Sequence, residues 1–216
     1  MQQIRSLYYK VIDMTFSAKD LVSRSCSQIK LFMDYPEKRP QPSSNMLYGE
    51  KFQRAVADTI PNIIGEEMRG IYTNGGLSIY FSNDIVCNDK IIEVKSVVGT
   101  APDWYFKSAL IQCAFYKAMI MQGFNRLETA SFYVNLGNER NVTIVPRHID
   151  YFLIFGEEKY KIEVDNPNAI INFFLDKAMA CTDWNLAKNF DFVNKHREFD
   201  ILKRYFRYNN VFLKKK

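Results

Sequence analysis

Residues 68–98 constrain the fold more than any other part of the chain. They are rich in β-branched and aromatic side chains and are interrupted by two turn-forming clusters, Asn74-Gly75-Gly76 and Asn88-Asp89. The pattern predicts a three-stranded antiparallel meander. Helix-like segments flank it. Residues 17–33 carry Leu21, Val22, Ile29, Leu31, Phe32 and Met33 in a loose helical period after a Ser17 cap. After a proline-rich loop at 35–44, Phe52, Val56 and Ile60 recur at four-residue steps, which predicts a helix over 47–59 ended by Pro61. Downstream, 104–122 reads as a helix closed by Gly123. Strands are expected at 130–136 and 141–146 around a Gly137-Asn138 turn, and helices from the Asn166-Pro167 start to about residue 208. This order predicts an α/β fold, a central mixed sheet covered by helices, with a helical C-terminal extension over about 165–216.

The chain's 216 residues, 47% of them apolar, suffice for one core, so a single domain over 1–216 is expected. With 25% charged residues, 9 glycines and 7 prolines, the composition excludes a disordered or collagenous protein. No uninterrupted apolar run approaches membrane-spanning length, and the first residues lack the pattern of a signal peptide. A cytoplasmic protein with no membrane partner is expected. Cys26, Cys87, Cys113 and Cys181 are widely spaced with no CxxC pair, which predicts reduced, buried thiols. The net charge of +5 is concentrated at the end of the chain, where residues 195–216 hold eight basic side chains against Glu198 and Asp200.

Chemistry gathers on the second and third predicted strands. Asp84 precedes the turn, and Glu93 and Lys95 follow it; strand alternation puts Glu93 and Lys95 on one face together with Ile91. Charges buried there need partners. The two carboxylates and the Val94 carbonyl suit a hard, oxygen-seeking ion such as Mg²⁺ or Mn²⁺. Such an ion activates water and offsets charge on a phosphoryl oxygen, and Lys95 can orient that water, which is the chemistry of phosphodiester hydrolysis. A cross-strand ion pair on an exposed hairpin is the alternative.

Taken in order, these residues resemble the PD-(D/E)XK nuclease superfamily, in particular its RecB-like exonuclease branch. Asp84 matches the first acid, with Asn83 where the motif's name has proline, and Glu93-Val94-Lys95 matches the (D/E)-x-K element. Gln112 and Tyr116 fit the following Q-x-x-x-Y motif; four residues apart, they share a helix face. Ser17 to Leu21 with Cys26 is similar to the branch's N-terminal S-x-x-x-L…C element. Gly49 to Gln53 is similar to its G-x-x-x-H helix, except that Gln53 replaces the histidine. The resemblance covers about residues 17–146. It implies a restriction-endonuclease-like core and a Mg²⁺- or Mn²⁺-dependent deoxyribonuclease acting on DNA in replication, recombination or processing. Asp84 and Glu93 would hold the ion, Lys95 would position water, and Gln112 and Tyr116 would shape the DNA-facing side. The ligand completing the site is left open among Glu50, Gln53, Glu66 and Glu67. Some relatives in this branch hold an iron–sulfur cluster between an early cysteine and a C-terminal trio; here only Cys181 follows Cys26 in that role, and no iron–sulfur cluster is expected.

At the C-terminus, Ile201, Leu202, Tyr205 and Phe206 alternate with Lys203, Arg204 and Arg207. A helix there would present the three cations to DNA phosphates; a solvated surface helix is the plainer alternative. A helicase or another replication or recombination protein is an expected partner, and the Asn-, Lys-, Ile-, Phe- and Tyr-rich composition fits an AT-rich phage or mobile element acting in a host cytoplasm. Gln53 in place of histidine supports the contrasting expectation, a non-catalytic DNA-binding or scaffolding protein with the same fold.

Overall fold

The computed structural model describes residues 14–41, 44–74, 76–122, 126–128, 142–194 and 197–211. The predicted meander is present as β2 (Ile63–Asn74), β3 (Leu77–Cys87) and β4 (Lys90–Lys95), antiparallel throughout. It lies at the centre of a larger sheet. Among the described residues nine strands form one sheet, β6-β5-β2-β3-β4-β7-β8-β9, with β1 (Met14–Ser17) added to β3. The remaining strands are β5 (Arg126–Glu128), β6 (Val142–Ile144), β7 (Asp150–Phe155), β8 (Glu158–Val164) and β9 (Phe206–Asn210). The β1–β3 and β4–β7 pairs are parallel, so the sheet is mixed.

Helices cover both faces. One face is packed by α1 (Ala18–Ser23), α2 (Cys26–Asp34), α4 (Asp103–Met121), α5 (Pro167–Ala180) and α6 (Trp184–Asn194), whose apolar side chains form the main core with Ile79, Phe81, Ile91, Tyr151 and Ile162. The other is covered by α3 (Ser44–Ala57), where Phe52, Val56 and Ala57 meet Ile85, Ile92, Val94 and Ile154. The helix α4 is the central one. It is covered on every side over its last three turns, where every residue from Ala109 to Ile120 is buried, the polar Gln112 and Lys117 included. It is the first part of the crossover from β4 to the parallel β7, which also passes through β5 and β6, the long connection that a parallel pair requires.

The helical expectation for 17–33 is met by two helices rather than one. The break has a local cause. Ser25 begins a new capping box with Gln28, and both Asp191 oxygens accept from the first amides of α2, Cys26 N at 2.7 Å and Ser27 N at 2.9 Å. Asn166 caps α5 by accepting from Ala169 N, with Pro167 in its first turn, as the sequence predicts. All four cysteines are free and buried. No helix among the described residues is long and apolar enough to cross a membrane.

The C-terminal expectation requires correction. Helix continues only through α7 (Glu198–Leu202), and the last described element is a strand, β9, paired antiparallel to β8. Phe206, read as part of a helix, is the buried start of that strand, and Arg207 faces Glu163 across the ladder. The hairpin β7–β8, turned at Gly156 with φ +60°, was not anticipated, although Glu158–Val164 alternates in burial along its length. The expected strand at 130–136, its Gly137-Asn138 turn and the Gly123 cap lie outside the described residues; β6 falls within 141–146. Replacing Phe206 by Ala is expected to lower unfolding free energy by about 3 kcal/mol in urea titrations, because the chain end is part of the sheet. A helical appendage packed independently of the sheet would leave the midpoint unchanged.

Candidate active site

The site begins as an interruption in the sheet. One edge of β3 pairs with β2 along its length, while the other is shared between β1, which pairs with residues 77–80, and β4, which pairs only at Ile85 and Val86. Residues 81–84 are left without a ladder partner on that edge. Extending the β3–β4 register by one step sets Asp84 opposite Glu93, but the ladder stops there, and the Val94 amide is taken by the Asp84 side chain instead, at 2.7 Å to Oδ2.

The pleat also slips at this point. Ile79 and Phe81 face the α4 side and buried Asn83 accepts from the Tyr151 hydroxyl there at 2.8 Å, yet beyond Asp84 it is Val86 that joins the α4-side core while Ile85 and Cys87 join the α3 side. On β2 the residue at the slip is Glu67, in the left-handed region at φ 50°, between the register pairs Glu66–Ile85 and Met68–Asn83. A non-glycine residue in that conformation is costly, and such strain collects at functional sites.

Around the gap lies a cavity of about 800 Å³. Asp84, Glu93, Val94, Lys95, Gln112 and Tyr116 all line it, as do Glu50, Gln53 and Glu67, whereas Glu66 does not. The five residues predicted as catalytic are thus brought together by three elements. From β4, Glu93 is 1% exposed, and its Oε1 accepts from Lys95 Nζ at 2.6 Å and from Gln112 Nε2, on α4, at 2.5 Å. Its Oε2 is buried with no hydrogen-bond partner among the described residues, an unmet requirement in the wall of the cavity. Tyr116, one turn beyond Gln112, packs its ring 5.3 Å from Phe81.

Electrostatics at the site follow from this packing. Burial, then the neighbouring Glu93 carboxylate, push the Asp84 carboxyl up to about 7, against the pull of Lys95, the Val94 amide and Lys19. Burial opposes the charge on Lys95, but Glu93 and Asp84 outweigh it and hold the amine above its ordinary range. Burial and then Glu93 push the Tyr116 phenol well up, so it remains a neutral donor.

Among the described residues no three His, Cys, Asp or Glu side chains assemble into a metal-binding cluster. The donors present are Asp84, Glu93 with its unpartnered Oε2, and the Val94 carbonyl, with the Gln53 amide and Glu50 on α3 lining the same cavity. Such a set fits Mg²⁺ or Mn²⁺, since Mg²⁺ is commonly held by one or two carboxylates and retains several waters. Gly49 brings α3 close to this edge: a Cβ there would lie 3.6 Å from Ser96 Oγ.

Lys203, Arg204 and Arg207 lie away from the cavity. Lys203 is paired with Asp200 and Arg207 with both oxygens of Asp165, while Arg204 is exposed. Besides Lys95, the cavity is lined by two cations, Lys19 and Arg69, that were not singled out in the sequence, nor were Tyr80 and Tyr105. Lys19 lies within the N-terminal motif; Arg69 and Tyr80 carry no signal beyond strand alternation. A second cavity, of about 890 Å³, is lined by Asp103, Asp191 and Glu198. Those acids are engaged: Asp191 caps α2, Glu198 holds buried Lys177 at 2.6 Å, and Asp103 pairs with Lys107.

No protein-family model, curated protein or solved structure matches this chain.

The raised Asp84 carboxyl has a signed consequence. The folded protein retains a proton that the unfolded chain loses near pH 4, so this group's contribution to stability is fully present below pH 4 and is lost as pH rises through about 7. In EDTA, Asp84→Asn is expected to be more stable than wild type at pH 8, by at most about 4 kcal/mol, with the difference vanishing near pH 4. Urea titrations across that range test it, and a pH-independent difference would contradict the assignment.

Proposed function

We propose that this protein is a Mg²⁺- or Mn²⁺-dependent deoxyribonuclease of the PD-(D/E)XK type. The observation that carries the reading is Glu93 Oε2, a buried and unpartnered carboxylate oxygen beside a second carboxylate, in a cavity that also holds Lys95 and Gln112. An ordinary cross-strand ion pair accounts for Glu93 and Lys95 alone. It does not account for Asp84, whose charge the fold resists. The order α3, β2, β3, β4, α4, followed after β5 and β6 by β7 parallel to β4, supports a restriction-endonuclease-like core.

When bound, a divalent ion would supply positive charge to a phosphoryl oxygen and lower the pKa of a water molecule. Asp84, Glu93 and the Val94 carbonyl would hold it. The Val94 amide fixes one Asp84 oxygen, and Gln112 with Lys95 fixes one Glu93 oxygen, so the carboxylates are oriented before any ligand arrives. Lys95, its Nζ 2.6 Å from Glu93 Oε1, would orient water and stabilise charge that develops on the phosphate. Gln53 or Glu50, across the cavity on α3, completes the set.

Hydrolysis of labelled DNA should require Mg²⁺ or Mn²⁺ and stop in EDTA. Lys95→Ala and Glu93→Gln are expected to lower kcat/KM by roughly a thousandfold while leaving the far-ultraviolet circular dichroism unchanged. Wild type that gives no heat with Mn²⁺ in calorimetry and cuts neither linear nor circular DNA would point to a DNA-binding protein of the same fold.

A further inference from the structure

Beyond the residues that meet the two carboxylates, the cavity has a second wall made by the central hairpin. Along β3, Tyr80 and Ser82 alternate with buried Ile79, Phe81 and Asn83, and across β2 the register places Arg69 beside Ser82 and Ile71 beside Tyr80. This strip is exposed, with Tyr80 41% and Ile71 45% accessible. It leads into the site: Tyr80, Ser82, Arg69 and Glu67 line the same cavity as Asp84, and four residues of strand put Tyr80 about 13 Å from Asp84 along β3. On the adjoining edge, Ser17 of β1 pairs with Tyr80, and Lys19, two residues on, also lines the cavity. A solvent-accessible phenol ring therefore lines the same cavity as two cations, Lys19 and Arg69, the latter opposite Glu128 of β5 in the ladder, and lies four residues of strand from Asp84.

We infer that this β2–β3 strip is a track for an unpaired DNA strand, with the Tyr80 ring stacking on a base and Arg69 and Lys19 meeting the flanking phosphates. The inference rests on the nuclease reading and adds to it the form of the substrate. Stacking on an aromatic side chain requires a base whose face is open, which a single strand offers and an intact duplex does not. Ser82, small and between Tyr80 and Asp84, leaves room for the backbone to pass.

The test is fluorescence anisotropy with a labelled oligodeoxythymidylate and a blunt duplex of equal length, using the full chain in a Glu93→Gln background with Mg²⁺ so that binding is read without turnover. Tyr80→Ala is expected to weaken single-strand binding about tenfold and to leave duplex binding unchanged; Tyr80→Phe, which keeps the ring, should bind as tightly as the parent. Arg69→Ala should weaken binding and reduce the slope of log affinity against log salt by about 0.7, the value for one phosphate contact on a single strand. Equal single-strand affinity in the parent and Tyr80→Ala, equal losses on both substrates, or a Phe variant as weak as the Ala variant would each overturn the track. Hydrolysis by the otherwise wild-type protein separates the two readings. Binding that depends on Tyr80 without any Mg²⁺-dependent cleavage leaves the track standing and removes the nuclease; cleavage with no dependence on Tyr80 does the reverse.

Discussion

Two carboxylates held side by side at the edge of the core are the constraint around which the rest of this structure is arranged. Asp84 and Glu93 repel each other in a setting where burial already penalises their charge, and a fold selected for stability alone would separate or replace them. Their surroundings orient them without neutralising them fully. Lys95 supplies one positive charge, Gln112 and the Val94 amide supply hydrogen bonds, and one Glu93 oxygen receives nothing. Lys95 and Lys19 pull the Asp84 carboxyl down by less than burial and Glu93 push it up, a shortage of positive charge that a divalent cation would make good.

The sheet makes this arrangement possible by failing to close. Had β4 continued its ladder along β3, the Val94 amide would have bonded backbone and the Asp84 side chain would have had no role in fixing it. Instead β1 occupies the far part of that edge and β4 the near part, leaving a four-residue gap. The left-handed Glu67 and the slip of the pleat lie at the end of the same gap, on the opposite side of β3. The parallel β4–β7 pair then requires a crossover, and its first element, α4, lays Gln112 and Tyr116 over the opening before the chain passes through β5 and β6 to β7. A break in hydrogen bonding, a strained residue and a buried helix thus serve one cavity.

The meander, α4 and the pairing of Glu93 with Lys95 were legible in the sequence because each follows from a local rule, whereas the grouping of Gln112 and Tyr116 with the acids rested on the resemblance to the PD-(D/E)XK nucleases. Turn residues at Asn74 to Gly76 delimit the strands, alternation places Lys95 with Glu93, and a four-residue step places Gln112 with Tyr116. What was not legible depended on partners distant in the chain. Met14–Ser17 is a strand only because β3 offers it an edge, and Phe206–Asn210 because β8 does. Tyr205 and Phe206 fit a helical period as readily as a strand, and tertiary pairing decided between them. The Lys19 and Arg69 side chains reach the cavity by routes that no spacing rule expresses.

Charge shows the same limit of local reading. The end of the chain looks the most basic part of the molecule, yet Lys203 and Arg207 there are matched to Asp200, Asp165 and Glu163 in the fold, and such exposed pairs leave little unbalanced field. Lys19 and Arg69, isolated in sequence and adding nothing to any charge cluster, stand at the mouth of an acidic cavity, where a phosphate chain would otherwise be repelled. For a polyanion approaching two carboxylates, a few cations beside the opening outweigh a larger number elsewhere, because the interaction between exposed charges is screened within about 10 Å. On the proposed reading, the position of charge relative to the gap in the sheet, rather than its total, is what would suit this site to a nucleic acid strand.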